Sequence, residues 1–128
     1  MLTDWDKAIE IDADSEPIYG HDQAFVSCPV VFPTVTIGIL PTDGLQALAE
    51  KDGRYSPDAD FCIGLNGFTE SRVDSCITII CENGEGHIDL SEEDQAEVWN
   101  ILDRKCRKAF GQGCEQLLER AEALIQKF

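Results

Sequence analysis

Along residues 34–40 polar and apolar side chains alternate, the period of a strand with one buried face, and Val35, Ile37 and Ile39 point the same way. The apolar stretch at 24–32 predicts a further strand before it, with a break near Pro33. Residues 43–51 predict a short helix: Thr42 or Asp43 caps its start, Leu45, Leu48 and Ala49 form its apolar stripe, and Gly53 lies just past its end. Asn66-Gly67 and Asn83-Gly84 each sit between strand-like segments. Both residue types accept positive φ, so residues 61–90 predict an antiparallel meander with two-residue turns. Residues 73–81 are apolar on both faces, Val73, Ile77 and Ile79 on one and Cys76 and Ile80 on the other, which predicts a central strand covered on both sides.

After Ser91 the run Glu92, Glu93 and Asp94 makes a capping-box-like start. Val98, Trp99, Leu102, Cys106, Ala109 and Phe110 then recur at helical spacing as far as Gly111-Gln112-Gly113. A second helix gathers Cys114, Leu117, Leu118, Ala121, Leu124, Ile125 and Phe128 on one stripe. The fold class is therefore α+β: an antiparallel β-sheet of hairpins packed against two C-terminal α-helices, with one short connecting helix. With 128 residues and no repeat or Pro/Gly-rich linker, the chain reads as a single domain, 1–128, whose residues 1–23 form a flexible acidic N-terminal segment.

Composition changes the picture through charge. Hydrophobic residues at 43% suffice for a core, yet 25 acidic residues face 10 basic ones, a net charge of −15. That balance excludes direct binding to nucleic acid or to an anionic membrane, both of which need positive charge. The uncharged stretch 23–42 is interrupted by Pro29, Pro33, Gly38 and Pro41, so it reads as strand rather than membrane span. Residues 1–6 show neither a basic region nor an apolar run, which predicts a cytoplasmic setting and reduced cysteines.

Candidate chemistry is sparse. A cysteine nucleophile needs a base nearby, and the histidines are His21 and His87 alone. Cys76, Cys81, Cys106 and Cys114 occupy apolar positions and read as small hydrophobes, leaving Cys28 and Cys62 as the candidates for a cysteine-dependent enzyme. No CxxC or HxxxH pair marks zinc, and the segment opening with Asp12, Asp14 and Glu16 has Pro17 where a calcium loop needs glycine and Gln23 where it needs glutamate. No phosphate-binding glycine motif is present. The expectation is a protein with no cofactor and no metal that is not an enzyme.

The acids are unevenly placed. Residues 1–103 hold 22 acids and 4 bases, whereas 104–128 hold 3 acids and 6 bases. Two segments stand out, 4–22 with seven acids against Lys7, and 82–97 with seven acids and no base. In the first, Glu10, Asp12, Asp14 and Glu16 occupy alternate positions and, if extended, would line one face about 6.6 Å apart like an anionic polymer. In the second, helix capping accounts for Glu92, Glu93 and Asp94 but not for Glu82, Glu85, Asp89 or Glu97. The basic group Arg104, Lys105, Arg107 and Lys108 reads as cations at a helix carboxyl end.

The partner-binding residues expected are therefore Glu10, Asp12, Asp14, Glu16, Glu82, Glu85, Asp89, Glu93 and Glu97, converging into one anionic platform. They would dock a basic protein, including one built to bind nucleic acid, in the manner of small acidic immunity-type or anti-defence inhibitors. A second reading is an interaction subunit that oligomerises through the stripe at 114–128.

Overall fold

The computed structural model describes residues 4–24, 27, 30–53, 58–82 and 84–125. Asp4 caps a one-turn helix, α1 (Trp5–Ala8), whose Trp5 and Ala8 are buried, and the chain continues into β1 (Ile9–Ile11). β2 (Ile18–Ala24) and β3 (Val30–Pro41) form a hairpin, α2 (Asp43–Asp52) follows, and β4 (Asp60–Asn66), β5 (Val73–Cys81) and β6 (Gly84–Asp89) complete a meander. Two helices close the chain, α3 (Glu92–Phe110) and α4 (Cys114–Ile125). All pairings are antiparallel, in the order β1-β3-β4-β5-β6, and β2 lies in line with β1 on the same edge of β3. The α+β architecture is thus a six-stranded sheet with its two C-terminal helices on one side.

That side holds the core. Val35, Ile37 and Ile39 of β3, Phe61, Ile63 and Leu65 of β4, and Val73, Ile77 and Ile79 of β5 meet Val98, Leu102, Leu117 and Ala121 of the helices. Removing an aliphatic side chain of this size from water contributes about 1.5–3 kcal/mol. Helix ends follow local chemistry. Thr42 caps α2 through its side-chain oxygen, and Gly53 ends it at φ 76. Ser91 and Asp94 form a reciprocal capping box on α3, and Gly111 ends that helix at φ 74. No helix among the described residues is long and apolar enough to cross a membrane.

Four local expectations are corrected. Residues 30–41 are one strand, not two separated at Pro33. The Pro33 carbonyl accepts from the Gly67 amide, so the missing Pro33 N–H points past the end of β4 and removes no ladder bond to β2. Asn66-Gly67 is not a two-residue turn: β4 ends at Asn66 and β5 begins at Val73. Asn66 is buried, and its Oδ1 accepts from the Phe68 and Thr69 amides and from Thr69 Oγ1, so the side chain organises a longer loop. At the next connection Cys81 pairs directly with Gly84, which places Gly84 in β6, while Asn83 lies outside the described residues. Finally, β5 is covered on one face only: Ile77 and Ile79 are buried, but Ile80 is 49% exposed.

The acidic N-terminal segment is built into the fold. Trp5 Nε1–H donates to Asp94 Oδ1 at 2.9 Å, tying α1 to the first turn of α3. That bond, with those from Ser91, holds the Asp94 carboxyl below its ordinary 3.8. A depressed folded value stabilises the fold fully above about pH 4, and the contribution disappears as pH falls through the folded value. Trp5→Phe, which keeps the ring but loses the donor, should therefore flatten the decline of the urea midpoint between about pH 4 and pH 2. Parallel declines in the two proteins would show that the Trp5–Asp94 bond plays no part in it.

Candidate functional site: the helix-free face of the sheet

Antiparallel register assigns each strand residue to a face. With Val35, Ile37, Ile63 and Ile77 toward the helices, their neighbours Thr34, Thr36, Cys62, Gly64, Cys76 and Thr78 face the other way. Among the described residues no helix covers that second face. All six carboxylates carried by strands stand on it: Glu10 opposite Leu40, Asp22 opposite Phe32, Asp60 opposite Ile80, Asp74 against Gly64, Glu85 opposite Ile80 and Asp89 opposite Cys76. Among the described residues no strand contains a lysine or arginine. The helices hold seven of the ten bases, among them Arg104, Lys105, Arg107 and Arg120, alongside twelve acids, so helix cations are mixed with carboxylates whereas the strands present carboxylates alone.

Apolar side chains interrupt the acids. Ile18, Leu40 and Ile80 are 68%, 43% and 49% exposed, and they rim a depression of about 400 Å³ floored by Gly38 and Cys62. The turn after β1 leans over this depression, since a Cβ on Gly38 would meet Ser15 at 3.4 Å and Asp12 at 3.8 Å. A second hollow of about 300 Å³ lies between Asp22, Phe32, Thr34 and Asp74. Asp74 Oδ1 accepts from Asn66 Nδ2 at 2.9 Å, which fixes this carboxylate above Gly64 where any side chain would collide with it.

The expected partner-binding residues divide. Glu10, Glu85 and Asp89 lie on the helix-free face, and Asp12 and Glu16 border it from the turn. The carboxylate of Glu10 also reaches Lys105 Nζ at 2.9 Å across the sheet margin. Asp14 is exposed in the same turn, and Glu82 is exposed just after β5. Glu93 and Glu97 sit on α3, on the opposite side of the sheet, and do not join the others. The regular row at 10, 12, 14 and 16 does not form. Only residues 9–11 are extended, and Asp12 bends the chain by accepting from the Asp14 amide and from Ser15 Oγ. Sequence reasoning missed Asp60 and Asp74, which lie outside the two acidic segments, and Asp22, which ends the first segment but falls outside its alternating row. Their signal was the absence of cations from outward strand positions.

Thiol chemistry is placed as follows. Cys28 lies outside the described residues. Burial pushes the Cys62 thiol up, and Glu85, Asp74 and Asp60 push it further, the opposite of activation. His87 pairs with Thr78, which pairs with Cys62, so the imidazole stands two strands, or about 10 Å, from the sulfur. Cys76 is raised by burial and by Asp74, and Cys114 by its contact with buried Cys106. Among the described residues no group of three or more histidine, cysteine or acidic side chains is arranged to hold a metal ion. Compared with protein-family models, with curated proteins and with solved structures, the chain matches none.

Proposed function

We propose that this chain is a non-catalytic binding protein of the cytoplasm that docks a basic surface of another protein through the helix-free face of its sheet. Where that surface is built for nucleic acid, docking blocks it, as an immunity-type or anti-defence inhibitor does. The observation that carries the reading is the charge of the sheet itself: among the described residues every strand carboxylate is on the uncovered face and no strand contributes a cation. Such a field accelerates encounter with a cationic partner, and the exposed Leu40 and Ile80 add apolar contact once the surfaces meet. Like charges on one face repel within a Debye length of about 8 Å, a cost to folding that a cationic partner relieves. Oligomerisation through α4 is less well supported, because Leu117, Leu118 and Ala121 are buried within the chain itself.

The test compares the immobilised protein with an Asp60→Asn, Glu85→Gln, Asp89→Asn variant, both exposed to host lysate at low salt. Basic proteins should be retained by the parent, released as salt is raised severalfold, and absent from the variant. Equal retention by both proteins, or retention indifferent to salt, removes this reading.

A further inference from the structure

The spacing of groups on the uncovered face selects the shape of its occupant, given that the occupant is cationic. Glu10 pairs with Leu40, Asp60 with Ile80, and Ile80 with Glu85. The ladder between β3 and β4, continued one residue past Ile39 and Phe61, sets Leu40 beside Asp60. A single row therefore crosses five strands in the order Glu10, Leu40, Asp60, Ile80, Glu85, alternating acid and apolar. All five side chains are exposed. Neighbouring strands are about 4.8 Å apart, so successive carboxylates in the row are about 9.6 Å apart, with an apolar group midway.

Resting on the docking reading above, we propose that the occupant is a basic amphipathic α-helix laid across the strands, with lysine or arginine at every seventh position and an aliphatic residue midway between. Residues seven apart on a helix are separated by about 10.5 Å on the same side, and those three or four apart by about 4.5–6 Å. Both steps match the row to within about 1 Å. An extended segment does not match: its same-side residues recur at about 6.6 or 13 Å, so a cation set on Asp60 would leave the next one well away from Glu85. The depression rimmed by Leu40 and Ile80 receives the aliphatic residue, and the flanking Asp60 and Glu85 pair with the cations on either side. Glu10, already in contact with Lys105, marks the far end of the row.

The experiment uses three fluorescent peptides of equal length and charge, titrated against the full chain at low salt and read by anisotropy. One carries lysine at every seventh position with leucine midway, one has the same residues with the lysines shifted to every fifth position, and one keeps the seven-residue spacing but carries a central proline that breaks the helix. The first should bind at least about tenfold more tightly than the other two. Asp60→Asn together with Glu85→Gln should abolish that advantage, and Ile80→Ala should weaken it, with each variant's circular dichroism unchanged. Equal, salt-sensitive binding of all three peptides overturns the helical occupant while leaving basic docking intact. Absence of binding by any of them removes both.

Discussion

Replacing Ile77 with alanine should lower folding stability by about 2–5 kcal/mol, whereas the same change at Ile80, three residues away in β5, should cost less than about 1 kcal/mol. Ile77 is fully buried and lies between Ile63 on one neighbouring strand and Ile88 on the other, so truncation leaves a void that three strands and α3 cannot close. Ile80 has half its surface in water and Asp60 and Glu85 beside it. Small domains are stable by about 5–15 kcal/mol, so the Ile77 variant should lose a substantial fraction of its margin. Urea denaturation of the two variants measures both quantities. Equal losses would mean that Ile80 is covered as well, and the uncovered face would not exist.

The second large effect is expected at Lys105→Met. The Lys105 side chain is only 14% exposed, and its ammonium donates to the main-chain carbonyls of Asp6 and Ile9 as well as to Glu10. Methionine preserves the apolar stem and removes the donors, leaving those carbonyls without a bond at a part-buried margin. A loss of about 1–3 kcal/mol follows, with faster amide exchange confined to residues 9–11. Arg104 supplies the contrast. Its guanidinium holds the Asp6 carboxyl below the ordinary value, but both groups are largely in solvent, so Arg104→Ala should leave the urea midpoint almost unchanged. If Arg104→Ala proved as costly as Lys105→Met, surface charge rather than satisfaction of the carbonyls would be holding β1 in place.

These two sites also separate what was legible from what was not. Helices α2, α3 and α4 could be read because their signals are local: caps at Thr42 and Ser91, glycines at 53 and 111, and apolar stripes at a period near 3.6. The buried side of β3 was legible from alternation, and that of β5 from Val73, Ile77 and Ile79. The place of residues 4–22 was not, because what fastens them comes from far along the chain, Asp94 to Trp5 and Lys105 to Ile9. The loop after Asn66 was misread for a similar reason. Its last residue, Arg72, adopts φ 59 while its guanidinium lies 5.8 Å from the Trp99 ring and contacts Glu115, partners no local pattern announces. Clusters of acid in the chain pointed to Glu93 and Glu97, which the fold sets on the wrong side, and passed over Asp60 and Asp74, which it places centrally.

An uncovered sheet face is ordinarily a hazard, because identical chains can stack on it or join along its margins into fibrils. Here one margin is divided into two short strands with a turn between them, and the other lies beside α2. Two such faces brought together would also confront carboxylate with carboxylate. Self-avoidance is thus written into the same surface that attracts a cation, and like-charge repulsion should keep these molecules apart at concentrations where a neutral sheet would polymerise.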